Sequence, residues 1–214
     1  MKKSGCGNVL LFGPEDMTGH VHKEGTPAYL HAVMNHAKAR GYLSRFATHG
    51  YTDGVIEDVS EASSRALWDV LKPYGLVFWM TEGGTGPHAW PTPVTQGVGV
   101  GLHNALVAGN ASAWVPWQIT GEQPTGHSLM SGCSLTPKSH TVQHFTRTIP
   151  VDSRRIAAEP AFGAVLASAY YRAGDGRLGI VLINPGASHR TVRLRLRNVE
   201  GSGPLDLYTT TDGT

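Results

Sequence analysis

The feature that most constrains the fold is a repeated alternation of short apolar runs with longer amphipathic segments. Four such pairs follow one another in residues 1–149. A short apolar run predicts a buried strand, whereas apolar residues that recur at a spacing of three and four predict a helix. Strands that alternate with helices are typical of α/β proteins with a parallel sheet. The sequence therefore predicts four βα units in residues 1–149.

The boundaries of these units are predicted from the residues at their ends. Thr26 and Thr92 are each followed by proline, a pair that is common where a helix begins. Gly41 and Pro73 are of the residue types that end helices. The predicted strands are 8–12, 43–48, 76–81 and 111–117, and the predicted helices are 27–40, 60–72, 93–109 and 139–148.

After Pro150 the pattern changes to short β-rich runs that are separated by turns. The runs are 156–159, 166–172, 178–184, 190–196 and 205–209, and the segment 174–176 has the composition of a tight turn. Residues 150–214 are therefore predicted to form a small antiparallel β-sandwich-like domain. Because the last run stops close to the end of the chain, we expect this sandwich to be incomplete.

Composition and charge exclude several classes of function. Hydrophobic residues make up 40% of the chain, enough for one substantial core, and the formal net charge is only +2. The arginines within 190–197 alternate as on the solvent face of a strand, so nucleic acid is not expected as a partner. The apolar run 9–12 is too short for a signal peptide or a membrane span, which predicts a cytoplasmic protein without a membrane partner. Cys6 and Cys133 fit neither a disulfide framework nor a zinc pattern and are expected to be free thiols.

The histidines do not predict a metal site. His140 and His144 have the spacing that places two ligands on one face of a helix, but no acidic or cysteine third ligand accompanies them. A zinc site needs three or four converging ligands. The same argument applies to His20 and His22, which lie in a polar segment. We therefore expect no metal at either position.

A glycine pattern in the third unit resembles a phosphate-binding loop. Gly97, Gly99 and Gly101 have the required spacing, but they lie inside a predicted helix rather than in the turn between a strand and a helix. A nucleotide site is therefore not expected, and the sequence predicts no cofactor.

Candidate catalytic residues follow from where barrel enzymes place their sites. Polar residues that come directly after barrel strands form the active-site rim. A carboxylate, a phenol and a tryptophan on one rim suit carbohydrate chemistry, because sugar faces stack on aromatic rings and charge develops at the anomeric carbon. The residues in these positions are Glu15, His49, Tyr51, Glu82, Trp117 and Gln118.

Several of these residues lie in recognisable motifs. Residues 78–82 read FWMTE, residues 49–51 read HGY, and NALV at 104–107 leads to AWVPWQ at 113–118. Together they resemble the C-terminal half of clan A glycoside hydrolases and are most similar to family 30, which includes glucosylceramidase-like enzymes and xylanases. The segment LGIVLINP at 178–185 resembles the appended β-sandwich of that family. The resemblance implies a partial (β/α)8-type barrel of about four βα units, strands five to eight, followed by the β-rich domain.

The resemblance also implies roles for the rim residues. Glu82 corresponds to the nucleophile of a retaining mechanism, and Tyr51 would hydrogen-bond its carboxylate. His49 would line the sugar site, and Trp117 with the adjacent Gln118 would contribute to substrate binding. Glu15 is either a substrate-binding residue and a weak candidate for the second carboxylate, or a plain loop acid. The implied partner is a β-linked glucan or xylan type of carbohydrate, whose sugar and linkage the sequence does not define.

One part of the family mechanism has no counterpart here. The family's general acid/base lies in an Asn-Glu pair after strand four, and no Asn-Glu dipeptide occurs in this sequence. Three interpretations follow: a hydrolase with an unusual set of carboxylates, a non-catalytic carbohydrate-binding remnant, or a truncated piece of a longer protein. Because a half barrel exposes two strand edges, we also expect two chains to associate as a homodimer.

Overall fold

The first part of the chain is built on a parallel β-sheet. A computed structural model describes residues 5–7, 9–21, 25–53, 56–86, 89–121, 126–160, 165–198 and 203–211. Its four parallel strands lie side by side in chain order. They are β1 (Leu11–Met17), β2 (Leu43–His49), β3 (Val77–Gly83) and β4 (Ala111–Pro116). The predicted α/β class with a parallel sheet is confirmed.

Helices lie between these strands and after the last of them. They are α1 (Gly25–Asn35), α2 (Glu61–Leu71), α3 (Thr92–Thr95), α4 (Val98–Val107) and α5 (Pro137–Thr148), with 3₁₀ turns at Thr18–His20 and Lys72–Tyr74. The Ser60 side chain caps α2 by accepting a hydrogen bond from the Ser63 amide. No helix among these described segments is long and apolar enough to cross a lipid bilayer.

The main core lies between the sheet and its helices. Its fully buried side chains come from α1, α2 and the two central strands. Burying each of these large apolar side chains contributes roughly 1.5–3 kcal/mol to folding. They include Leu30, Phe46, Leu67, Leu71 and Phe78.

The first strand differs from its prediction. It runs to Met17 rather than ending at Phe12, so Pro14 and Glu15 lie within the strand. Because β1 is at the edge of the described sheet, a proline that cannot donate a hydrogen bond is tolerated there. A shift in the pairing register between Pro14 and Asp16 accommodates the extra residue.

Two helix boundaries also differ from their predictions. Helix α1 ends at Asn35, because the His36 ring accepts the Ala39 amide in place of a helical carbonyl. The predicted helix 93–109 is divided into α3 and α4. Gly97, with φ −137° and ψ −141°, lies far from helical dihedral angles, and this conformation interrupts the helical path.

The last part of the chain contains a three-stranded antiparallel sheet. Strands β8 (Arg154–Ile156), β9 (Leu166–Arg172) and β10 (Arg177–Ile183) pair in the order β10-β9-β8. Three short strands, β5 (Thr120–Gly121), β6 (Met130–Ser131) and β7 (Ser134–Leu135), form a separate small sheet that the sequence did not predict.

The predicted strands at 190–196 and 205–209 are wrong. Neither run has a paired strand in the described chain, and all residues of both runs are exposed. An extended segment forms a stable strand only when a neighbour takes up its backbone hydrogen bonds and its apolar side chains are covered. Their alternating sequence is therefore not sufficient to form a sheet.

The antiparallel sheet packs against the helices of the first part. Leu102 of α4 and Phe145 of α5 form a second buried cluster with Val181 and Ile183 of β10. Cys133 lies away from these cores and carries a free, exposed thiol, as predicted.

A glycine at this contact provides a test of the packing. We expect Gly179→Ala to destabilise the fold by about 1–3 kcal/mol, a typical cost of overpacking. The added Cβ would lie 1.9 Å from the Thr148 carbonyl oxygen at the end of α5. Urea unfolding would measure the decrease in the free energy of unfolding. Gly174→Ala is the control, because a Cβ at that position meets nothing within 4 Å. Equal free energies of unfolding for the two variants would contradict this packing.

Candidate active site

Strand pairing brings the rim residues to one edge of the sheet. Met17 of β1 pairs with His49 of β2, and His49 pairs with Glu82 of β3. Gly83 then pairs with Pro116 of β4. Because parallel strands end at the same edge, residues more than thirty positions apart in sequence become neighbours. This edge corresponds to the functional face of barrel enzymes.

A histidine between two carboxylates forms the centre of this rim. His49 Nε2 lies 2.9 Å from Glu15 Oε2 and 3.5 Å from Glu82 Oε2. The Thr81 hydroxyl donates a second hydrogen bond, of 2.6 Å, to Glu15 Oε2. The other oxygen of Glu15, Oε1, is buried and has no hydrogen-bond partner within the described chain. Two carboxylates therefore meet at one imidazole nitrogen, and one oxygen of Glu15 is enclosed without a partner in the described chain.

The backbone at Glu15 explains how its side chain reaches this volume. Glu15 has a φ of 67°, in the left-handed region that non-glycine residues seldom adopt. It is also the extra residue of the irregularity in the β1–β2 pairing. Such bulges redirect a side chain and are common next to active sites. The sequence could not indicate this conformation, which places Glu15 beside His49.

Tyr51 lies beneath the rim and is almost completely buried. Its ring meets the His49 ring edge-on, with centroids 6.1 Å apart. Burial, followed by the negative charge of Glu82, raises the pKa of the Tyr51 hydroxyl above its usual range. The hydroxyl oxygen is close to Glu82 but has no hydrogen bond of normal geometry to any described residue. Tyr51 therefore remains protonated and available as a donor at neutral pH.

Trp117 and Gln118 follow β4 on the same edge. The Trp117 amide donates to the Gly83 carbonyl oxygen at 2.6 Å, which ties this segment to the strand that carries Glu82. Trp117 is 49% exposed, so about half of its surface remains accessible to a ligand. Gln118 is held by its backbone, which donates to the His127 carbonyl and accepts from the Leu129 amide.

The other histidines of the described segments have separate surroundings. No group of three or more histidine, cysteine or acidic side chains in the described segments is arranged to hold a metal ion. His144 Nε2 lies 2.8 Å from Thr210 Oγ1, and burial lowers the pKa of His144. His20 hydrogen-bonds Asp16 at 2.7 Å, whereas His22 lies outside the described residues.

Sequence reasoning missed two charged residues close to this rim. Glu57 and Lys138 are both buried, and both bind the backbone that follows Glu82. A glutamate in a polar loop and a lysine in the first turn of a helix are ordinarily exposed. The one available signal was Gly101, since a glycine inside a helix often marks close approach by another group.

Comparison with solved structures defines the fold. An endo-β1,6-glucanase superposes with a TM-score of 0.58 at 15% sequence identity, over 85% of this chain and 43% of the glucanase. The catalytic domain of the family 30 glycoside hydrolase xylanase C from Talaromyces cellulolyticus gives a TM-score of 0.46 at 19% identity, over 71% of this chain and 34% of the xylanase domain. No protein-family model matches the chain.

The likeness to the glucanase shows that the chain shares part of the fold of a glycoside hydrolase, as the sequence resemblance indicated. The chain spans less than half the length of that glucanase.

Proposed function

We propose that the chain carries the nucleophile side of a retaining glycoside hydrolase site, with Glu82 as the nucleophile. The observation that carries this proposal is that the carboxylates of Glu82 and Glu15 both lie close to the same nitrogen of His49, Nε2. Retaining hydrolysis uses two carboxyl groups about 5–5.5 Å apart on either side of the glycosidic bond. Two carboxylates that meet the same imidazole nitrogen are compatible with that separation.

In the first step the ionised Glu82 attacks the anomeric carbon. The bond between this carbon and the leaving oxygen breaks, and Glu15, in its protonated form, gives its proton to that oxygen. Because Oε2 is held by His49 and Thr81 while Oε1 is enclosed without a hydrogen-bond partner in the described chain, this step requires the Glu15 carboxyl group to turn toward the leaving oxygen. In the second step water attacks the anomeric carbon, Glu15 takes the proton from the water, and Glu82 leaves as a carboxylate.

The neighbouring side chains support this chemistry. Tyr51, kept protonated, donates toward Glu82 and stabilises its negative charge between turnovers. His49 fixes the position of both carboxylates. The exposed ring of Trp117 provides a platform for a sugar face, and Gln118 lies beside it as a polar contact. Glu15 thus takes the place of the acid/base that the family resemblance puts in an Asn-Glu pair.

The proposed substrates are β-linked glycosides or polysaccharides of the glucan or xylan type. The fold of an endo-β1,6-glucanase supports a β-linked glycan as the class of substrate. In this proposal residues 1–149 correspond to strands five to eight of a (β/α)8 barrel and carry the rim, and residues 150–214 form an appended β-rich domain.

Substitution of Glu82 tests the nucleophile. We expect Glu82→Gly to reduce the hydrolysis of an aryl β-glycoside with a good leaving group by at least about 10³-fold, because the covalent step is lost. Added azide should restore turnover and yield a glycosyl azide of inverted configuration, since a small anion can occupy the space of the missing carboxylate. The product configuration is read by NMR. Glu61→Gly, an exposed acid on α2, is the control and should retain activity.

The role of Glu15 as the proton donor is tested by how the hydrolysis rate depends on the leaving group of the substrate. Glu15→Gln should slow substrates with poor leaving groups far more than those with good ones, because only poor leaving groups need a proton. An equal loss of activity on both kinds of substrate would show that Glu15 contributes to substrate binding and not to proton transfer.

Wild-type protein that binds glycans but hydrolyses none of them would favour the carbohydrate-binding alternative over the enzyme.

We also propose that the open edges of the sheet associate with a second copy of the chain. Strands β1 and β4 are the outer strands of the described sheet, and each exposes large apolar side chains, among them Phe12 and Val115. Unpaired edges with apolar side chains favour strand pairing between chains. Sedimentation should therefore detect a dimer that Phe12→Lys weakens, because charge at an edge opposes pairing. A stable monomer at micromolar concentration would contradict this proposal.

A further inference from the structure

Two buried charges lie behind the rim and have no part in the mechanism above. Glu57 is in the loop that follows β2, and only 8% of its surface is exposed. Lys138 is in the first turn of α5 and is fully buried. Ionisable side chains are seldom buried unless they are paired or satisfy other polar groups. The groups that hydrogen-bond Glu57 and Lys138 therefore indicate the role of these two side chains.

Both charges bind the same stretch of backbone, directly after the proposed nucleophile. Glu57 Oε2 accepts hydrogen bonds from the Gly84 amide at 2.7 Å and from the Thr85 amide at 3.0 Å. Lys138 Nζ donates to the Gly84 carbonyl oxygen at 2.8 Å and also to the Gly126 carbonyl. Gly84 is thus held from both sides, at its N–H by a carboxylate and at its C=O by an ammonium group.

The conformation of this stretch depends on such anchoring. Gly84 has a φ of +100°, which an L side chain rarely adopts, and a Cβ there would also lie 3.2 Å from the Trp114 ring. The preceding carbonyls are tied to the neighbouring strands, because Glu82 accepts from the Gly50 amide and Gly83 from the Trp117 amide. With Glu57 and Lys138 added, the backbone is fixed continuously from Glu82 to Thr85.

Neighbouring elements are adapted to the Glu57 carboxylate. Gly101 in α4 leaves the space for it, since a Cβ at this position would lie 2.8 Å from Glu57 Oε1. Glu57 also forms an isolated backbone bridge with Tyr51. One buried residue therefore connects the backbone of Tyr51 to the loop that follows the nucleophile. This arrangement accounts for Gly101, the last of the three glycines whose spacing resembled a phosphate-binding loop.

We propose that Glu57 and Lys138 are positioning residues that clamp Gly84 and thereby hold the Glu82 carboxylate in its reactive place. The proposal rests on the proposed function, in which Glu82 is the nucleophile. Small displacements of a reacting group reduce rates strongly, by about 10²-fold for a displacement of about 1 Å. A clamp located two residues away controls such displacements without touching the substrate.

The ionisation of the clamp is accessible to experiment. Burial raises the pKa of Glu57 to about 7, against the opposing effects of the Gly84 and Thr85 amides and the positive charge of Lys138. The nearby Asp58 charge raises it further. Burial lowers the pKa of Lys138 to about 8, while the negative charge of Glu57 acts in the opposite direction.

The first experiment needs no substrate. In amide NMR spectra of the labelled protein, the Gly84 and Thr85 N–H signals should titrate together with a midpoint of about pH 7, because they donate to Glu57. Lys138→Met should move this midpoint to higher pH, since a positive charge that favours the carboxylate is lost. Amide signals that report no titration of Glu57 at any value between about pH 3 and about pH 9, or a midpoint unchanged by Lys138→Met, would overturn the clamp.

The second experiment measures the consequence for the reaction. Glu57→Gln should lower kcat on an aryl β-glycoside by about 10²-fold with little change in KM, because binding contacts remain while the nucleophile is displaced. Asp58→Asn is the matched control, since Asp58 is equally buried but accepts from the Ser60 amide instead of the nucleophile loop. Asp58→Asn should retain the kcat of the wild type even if urea unfolding shows that it lowers the free energy of unfolding as much as Glu57→Gln does.

Together the two experiments distinguish a failure of the positioning role from a failure of the proposed function. Glu57→Gln with the kcat of wild type, or with no greater loss than Asp58→Asn, would show that Glu57 has only a structural role. If the wild type hydrolyses no glycoside, the proposed function fails and with it the positioning role, whereas the NMR titration still decides whether the clamp exists.

Discussion

The site depends on the pairing of β3 with a parallel strand on each side. This pairing places Glu82 beside His49 and brings Trp117 to the next position along the rim. The hydrogen bonds continue beyond the regular strands, since the Gly50 and Trp117 amides donate to the carbonyls of Glu82 and Gly83. A central parallel strand is fixed along its whole length by its neighbours. Its carboxyl end is therefore a rigid place for a reactive side chain.

The loop after Glu82 has a different requirement. It leaves the sheet and enters the interior, where each amide and carbonyl group needs a hydrogen-bond partner. Glu57 and Lys138 supply these partners as charged groups, and hydrogen bonds to charged groups are stronger than neutral ones. In this way α5, which lies far from β3 in sequence, is tied to the rim. The same residues satisfy the buried backbone and fix its conformation.

The rim itself combines order with one local irregularity. A regular β1 strand would alternate its side chains between the two faces of the sheet, and this alternation alone does not direct Glu15 to His49. The left-handed backbone and the register shift at Glu15 change the direction of its side chain. A second carboxylate is thereby placed near Glu82, which the proposed mechanism requires. An edge strand can accommodate this irregularity because it has a neighbour on one side only.

The sequence by itself determined the order of the four parallel strands, the helical segments between them and the residues that follow each strand at the rim. Apolar periodicity and end signals are local, and parallel strands must place their carboxyl ends together, so Glu82, His49 and Trp117 were predictable. The two false strands at 190–196 and 205–209 show the limit of this reasoning, because an alternating run forms a strand only where a partner exists.

Tertiary structure alone decided the bulge at Glu15 and the burial of Glu57 and Lys138. The bulge depends on the register with β2, and the buried charges depend on groups that reach them from distant parts of the chain. Solvation and hydrogen bonding at those positions are therefore properties of the folded chain, and no local pattern of residues encodes them.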